Sequence, residues 1–173
     1  MSQKTADGAE GAGAILEGRR LRLLIVDDRE PTCQDLQQIL RSETLDVEYR
    51  TEARQALEAL QQKDYSILLT DLQMPHMSGM DLIREVQERR IPVTMIVIAA
   101  QGSIGDAVKA IRLGAYDFLT KPVDPQHLRL VIERALRERA LQDELAQLKA
   151  GLQQNFSFHN ILSKNQRMHK LFE

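Results

Sequence analysis

The sequence predicts an α/β protein: a five-stranded, doubly wound parallel sheet in the order 2-1-3-4-5, with a C-terminal helical extension. Three observations carry this. Short apolar runs alternate with stretches whose apolar residues recur at helical spacing. Two of the runs, Ile67-Leu68-Leu69 and Val93 to Ile98, are apolar without alternation, so those strands need cover on both faces. Charged residues stand where three of the strands stop: Asp27-Asp28, Asp71 and Lys121. Ligands bind at that edge of an open parallel sheet.

The chain has 173 residues, a net charge of -2 and 43% hydrophobic residues, enough for one domain with a sizeable core plus appendages. So small a net charge gives no basic bias toward nucleic acid. Cys33 is the only cysteine, which excludes an intrachain disulfide and suits a reducing, cytoplasmic compartment. No apolar run approaches the roughly 20 residues of a membrane helix. Residues 1–20, rich in Gly and Ala and without an apolar core of signal-peptide length, read as a disordered leader.

The first strand runs from Leu21 to Val26 and ends in Asp27-Asp28. Pro31 suits the first turn of a helix, where its missing N–H costs nothing. Cys33, Leu36, Ile39 and Leu40 then follow helical spacing, which makes Cys33 a core residue. Val47 and Tyr49 alternate with charges in a short second strand at the sheet edge. Ala53, Ala56, Leu57 and Leu60 form the buried stripe of a second helix. The central strand at 66–70 follows, and Asp71 stands where it stops. Pro75 and Gly79 punctuate a loop, in which Met74, Met77 and Met80 serve local packing. Leu82, Ile83 and Val86 mark a third helix. After the fourth strand, Ile104, Ala107, Val108 and Ile111 mark a fourth helix that Gly114 ends. Tyr116 to Leu119 make a fifth strand, followed by Thr120-Lys121-Pro122. A last helix starts near Asp124-Pro125, with Leu128, Val131, Ile132 and Ala135 as its stripe.

This order brings Asp27, Asp28, Asp71 and Lys121 to one edge. Three carboxylates in one pocket repel each other unless a cation sits among them. Oxygen ligands favour a hard ion, and an open site with few carboxylates suits Mg²⁺. A lysine opposite balances an incoming anion. A carboxylate nucleophile, a divalent cation and a lysine describe phosphoryl transfer onto Asp.

The motifs Val26-Asp27-Asp28, Asp71-Leu72-Gln73-Met74-Pro75, Gly114-Ala115-Tyr116-Asp117-Phe118 and Lys121-Pro122 resemble the receiver domain of two-component response regulators, over about residues 21–138. That fold is flavodoxin-like. The resemblance implies that Asp71 is the phosphoacceptor, fed by a phosphohistidine on a sensor histidine kinase. It implies that Asp28, Asp71 and the backbone carbonyl of Gln73 ligate Mg²⁺, with Asp27 acting mainly through a metal-bound water. Lys121 would contact the phosphoryl group, and the Lys121–Pro122 bond would be cis. Phe118 falls at the family's rotating aromatic switch position. One position departs from the pattern. The family places Thr or Ser at the end of the fourth strand, and alignment back from Gly114-Ala115 puts Ala99 there, followed by Ala100 and Gln101. Alanine has no hydrogen-bonding side chain. Phosphate binding through Lys121, Mg²⁺ and backbone N–H groups is expected to survive, while its coupling to Phe118 is not. Gln101 is placed to screen an acyl phosphate from water.

Leu141, Leu145, Leu148 and Leu152 repeat at heptad spacing after the receiver-like part, and Gly151 is the first expected helix stop. Two readings stand: a lone amphipathic helix packed on its own domain, or a parallel coiled coil over 139–154 that makes the protein a homodimer. An exposed leucine stripe invites a partner, which favours the second. The tail, 155–173, with Phe156, Phe158, Ile161, Leu162, Met168 and Leu171, resembles the opening of the ATPase domain of nitrogen-regulator-like transcription activators, the enhancer-binding class that works with the alternative sigma factor. The chain contains no G-x-x-x-x-G-K-[ST] loop and no assignable helix-turn-helix. It is therefore expected neither to hydrolyse ATP nor to bind DNA specifically, and reads as the regulatory part of a longer protein. His76, His127, His159 and His169 lack metal-site spacing.

Three functions are consistent with these residues. The first is a phosphoacceptor switch, a signalling module rather than an enzyme. The second, motivated by Ala99, is a phosphorylation-independent receiver used for dimerisation or docking. The third is an Asp-nucleophile phosphohydrolase. That class resembles a D-x-D arrangement, and Gln73 at the second acidic place cannot serve as a general acid or base.

Overall fold

A computed structural model describes residues 20–169, with side chains as far as Gln154. The expected leader at 1–20 lies, but for Arg20, outside the described residues. Five strands alternate with five helices: β1 (Leu21–Val26), α1 (Glu30–Leu40), β2 (Leu45–Arg50), α2 (Ala53–Gln62), β3 (Ile67–Asp71), α3 (Gly79–Glu88), β4 (Thr94–Ala99), α4 (Ile104–Leu113), β5 (Asp117–Thr120) and α5 (Pro125–His169). The sheet is parallel throughout, in the order β2-β1-β3-β4-β5. The chain divides into two compact units, one ending at Arg137 and the other beginning at Glu138.

Strand alternation sorts the core of the first unit into two layers. Leu24, Val26, Leu68, Met95, Val97 and Ala99 pack with Ala56, Leu57, Leu60, Leu82, Ile83 and Val86 of α2 and α3 and with Ala107 and Ala110 of α4. Leu23, Ile25, Ile67, Leu69, Ile96, Ile98 and Leu119 pack on Cys33, Leu36 and Leu40 of α1 and on Leu128, Val131, Ile132 and Ala135 of α5. Successive side chains point to opposite faces, so β1, β3 and β4 are apolar on both. Each such Leu or Ile contributes about 1.5–3 kcal/mol by leaving water. Truncating Leu69 to Ala therefore costs roughly 2–5 kcal/mol, the transfer loss plus the cavity.

Local chemistry fixes the element ends. Ser78 caps α3: its hydroxyl accepts from the Asp81 N–H at 3.1 Å, and the Asp81 carboxylate accepts from the Ser78 N–H at 3.2 Å. Gly114 ends α4 with φ 120°, a conformation that costs glycine nothing. No basic residue occupies the last turn of α1, but Arg129 on α5 donates to the Ile39 carbonyl there at 3.2 Å.

The structure corrects two expectations. Helix α4 forms where predicted, but it buries Ala107 and Ala110, while Ile104, Val108 and Ile111 are exposed. Gly151 does not stop the last helix, which runs on to His169. Leu141, Leu145, Leu148 and Leu152 are each more than half exposed. His76 and His127 lie at the surface, and Met74, Met77 and Met80 pack against the core. The side chains of His159, His169 and the tail's aromatic residues lie outside the described residues. No helix among the described residues is long and apolar enough to cross a membrane.

Candidate functional site

Parallel strands bring their C-terminal ends to one edge, and the predicted site residues meet there. Asp27 follows β1 and Asp71 ends β3, and each is at least 95% buried. Asp28 is exposed at the mouth. One carboxylate oxygen from each of the three lies within 4.8 Å of the others. Lys121, just past β5, reaches across β4 to place its Nζ 2.7 Å from Asp71 Oδ2 and 3.7 Å from Asp27 Oδ2. Asp71 Oδ1 accepts the Gln73 N–H at 3.1 Å, and Asp27 Oδ1 accepts the Arg29 N–H at 2.9 Å.

Three carboxylates thus face one ammonium group. Burial raises the Asp27 pKa, and repulsion from Asp71 and Asp28 adds to the effect against the opposing pull of the Arg29 N–H and Lys121. Burial alone would lower the Lys121 pKa, but the hydrogen bond to Asp71 and the charges of Asp71, Asp27 and Asp28 raise it, so the lysine stays protonated. Asp27 Oδ2 is buried and accepts no hydrogen bond among the described residues, with Lys121 Nζ beyond hydrogen-bond reach at 3.7 Å. An orphaned carboxylate oxygen beside two further carboxylates, with negative charge in excess, fits an oxygen-seeking divalent cation. Cys33 lies directly beneath. Its thiol donates to the Asp27 carbonyl at 3.3 Å, and burial with the nearby Asp27 charge lifts its pKa to about 11, so it is an unreactive core thiol.

Of the other sequence-predicted positions, Gln73 and Gln101 are exposed near the strand ends, Ala100 is half-buried and Pro122 is exposed after a cis Lys121–Pro122 bond. Ala99 is buried at the end of β4. Phe118 is half-buried against the layer that contains Val97 and Ala99. The sequence reading missed the role of Gly79. It is buried, its N–H donates to the Leu72 carbonyl at 3.0 Å, and a β-carbon there would stand 2.0 Å from the Asp71 carbonyl oxygen. Its place eight residues after Asp71 was visible, but the close approach was not.

The response regulator receiver domain family matches residues 23–133. Response regulator protein PilR of Pseudomonas aeruginosa is 40% identical over 121 residues, which is 69% of this chain and 27% of that protein. The C4-dicarboxylate transport transcriptional regulatory protein DctD of the same organism is 34% identical over 154 residues, 88% of this chain and 33% of that protein. The chain thus spans about a third or less of the length of these relatives. Among solved structures, NtrX from Brucella abortus superposes with a TM-score of 0.70 at 30% identity, covering 75% of this chain and 30% of that one. A response regulator receiver domain protein from Clostridium thermocellum gives 0.66 at 26% identity, covering 70% of this chain and 98% of that one. With the doubly wound sheet and the acidic edge, these matches place the chain in the response regulator receiver domain family of two-component signalling proteins.

Proposed function

We propose that Asp71 is the phosphoacceptor of this receiver and that Asp27, Asp28, Lys121 and the Gln73 carbonyl assemble its site. The supporting observation is the 2.7 Å approach of Lys121 Nζ to Asp71 Oδ2 within the three-carboxylate cluster. An Asp71 carboxylate oxygen attacks the phosphorus of a kinase phosphohistidine. The new P–O bond forms as the P–N bond breaks, and the imidazole nitrogen leaves with the electron pair. Lys121 keeps its proton and pairs with a phosphoryl oxygen. Asp28, Asp71 and the Gln73 carbonyl would hold Mg²⁺, with the buried Asp27 acting mainly through a water, and the ion would supply charge compensation for the phosphoryl group. Gln73 at the D-x-D position argues against a hydrolase.

The domain organisation proposed is a leader at 1–20, the receiver at 21–138, a coiled-coil linker at 139–154 and the start of an ATPase domain at 155–173. The division between Arg137 and Glu138 supports the second boundary, and an alignment to DctD over 154 residues supports a shared segment beyond the receiver. On this reading the chain is the regulatory part of an enhancer-binding transcription activator that dimerises through its leucine seam and itself neither binds DNA nor hydrolyses ATP.

Intact mass after incubation with a small phosphodonor and Mg²⁺ tests the assignment. The chain should gain one phosphoryl group, and neither Asp71→Asn nor the chelated chain should. Equal labelling of the wild-type chain and Asp71→Asn refutes it. A second reading, a phosphorylation-independent docking module, is favoured by the buried alanine at 99.

A further inference from the structure

The leucine seam of the second unit has charged flanks. With Leu141 and Leu148 at d and Leu145 and Leu152 at a, Gln142 and Lys149 fall at e, and Glu144 and Gly151 fall at g. The helix is unbroken over all of them, and every one of these residues is exposed. Exposed charges elsewhere pair within their own helix: on α3, Asp81 pairs with Arg84 and Glu85 with Arg89. Glu144 and Lys149 do not. The residues three and four places from each are all uncharged. Among the described residues, neither side chain makes a hydrogen bond or an ion pair.

We propose that Glu144 and Lys149 set the orientation of the paired helices: each Glu144 carboxylate meets the Lys149 ammonium of a second copy, twice per parallel, in-register dimer. This rests on the reading that the leucine seam pairs two chains. In a parallel pair, g of one heptad lies beside e of the next heptad of the other chain, five residues on, and Lys149 is five residues after Glu144. The antiparallel alternative keeps the leucine layers, with Leu145 against Leu148 and Leu141 against Leu152. It turns g toward g and e toward e, however, so Glu144 faces Gly151 and Lys149 faces Gln142. Both charges then flank the seam without an opposite charge. Leucine at both a and d fills either arrangement, so the choice between them falls to the flanking charges. The parallel choice brings the two phosphoacceptor domains to the same end of the seam.

The test uses the full chain. Sedimentation equilibrium gives the dimer Kd, and circular dichroism checks that each variant keeps its helix. Glu144→Lys sets a new lysine against Lys149 at both contacts, and Lys149→Glu sets two carboxylates together. Each should raise the Kd roughly tenfold, because two exposed ion pairs are lost and repulsion replaces them. Mixing the two variants should restore the wild-type Kd in a heterodimer, since both contacts are then opposite in sign. Glu144→Lys and Lys149→Glu combined in one chain should restore it too. Oxidation of Leu148→Cys should give a covalent dimer, because d faces d only in the parallel arrangement. Cross-linking only when Leu145→Cys and Leu148→Cys chains are mixed marks an antiparallel pair and overturns the proposal. So does a mixture of the two charge reversals that binds no tighter than its parts. A wild-type chain that stays monomeric at high concentration removes the dimer and takes this proposal with it. A wild-type dimer indifferent to both reversals leaves the leucine seam standing and ends only the assignment of Glu144 and Lys149.

Discussion

Gly79 packs so closely on the end of β3 that a β-carbon at 79 would stand 2.0 Å from the carbonyl oxygen of Asp71 and 2.8 Å from the α-carbon of Leu72. Neither neighbour is a flexible side chain. A substitution must therefore move the start of α3 or the backbone that carries the Asp71 carboxylate.

Gly79→Ala should accordingly impair phosphorylation more than its effect on folding explains. A displacement of about 1 Å at a reacting group costs up to roughly a hundredfold in rate, and we expect a drop of at least about tenfold. Intact-mass time courses on protein whose folded fraction is measured by circular dichroism separate the two effects. Wild-type labelling in a folded Gly79→Ala chain would show that the loop absorbs the methyl group without moving Asp71.

The strands and the acidic edge were legible in the sequence because both follow from local rules. Apolar runs of strand length name the sheet, and Asp27, Asp28, Asp71 and Lys121 sit where those runs end. The face of α4 was not legible. Ile104, Val108 and Ile111 make a regular stripe, but the sheet side is taken by Ala107 and Ala110, whose size lets the helix approach closely. Periodicity finds a stripe without saying which way it turns. Gly151 was misread because an interior glycine costs only about 1 kcal/mol against alanine, which a long helix tolerates. The Gly79 contact, the orphaned Asp27 oxygen and the pairing of Ala99 with Thr120 depend on residues distant in sequence, and no local pattern encodes them.

Away from the site, Tyr65 donates a short hydrogen bond to Glu48, which also pairs with Lys63 at 3.1 Å. Burial alone would raise the Glu48 pKa, but the bonds from Tyr65 and Lys63 carry it below its ordinary value. Burial and the Glu48 partner push Tyr65 up to about 12. The lowered carboxylate contributes stability that is present above its unfolded pKa and lost as pH falls through the folded one. The raised phenol contributes stability that is present below its unfolded pKa of about 10 and lost as pH climbs toward about 12. Tyr65→Phe should cost roughly 1–2 kcal/mol between about pH 5 and 10, with the deficit shrinking on both sides. Urea unfolding followed by circular dichroism across that range checks it. A deficit independent of pH would mean that packing, not the hydrogen bond, is what Tyr65 supplies.

If the second unit pairs with another copy, Leu145 sits in the middle of the seam, 56% exposed in the single chain. Leu145→Lys removes a core leucine and strands a charge, on the order of 3–5 kcal/mol of association. Sedimentation should show a wild-type dimer and a Leu145→Lys monomer. A wild-type chain that is monomeric at high concentration ends the coiled-coil reading.

Ala99 is buried at the end of β4, in the layer against which Phe118 packs. A direct hydroxyl bond to a charged phosphoryl oxygen is worth roughly 1.5–3 kcal/mol. In a two-state switch, a differential term of that size moves the active-to-inactive ratio by about ten- to a hundredfold. Phosphoryl binding itself depends less on that bond, because the cation and Lys121 carry most of the charge compensation. Ala99→Thr should therefore deepen the response more than it changes labelling. Hydrogen exchange across residues 100–120, with and without beryllofluoride, should show a small mimic-induced change in the wild-type chain and a larger one in Ala99→Thr. A full-sized change in the wild-type chain, unaltered by Ala99→Thr, would show that this receiver switches without a hydroxyl on β4.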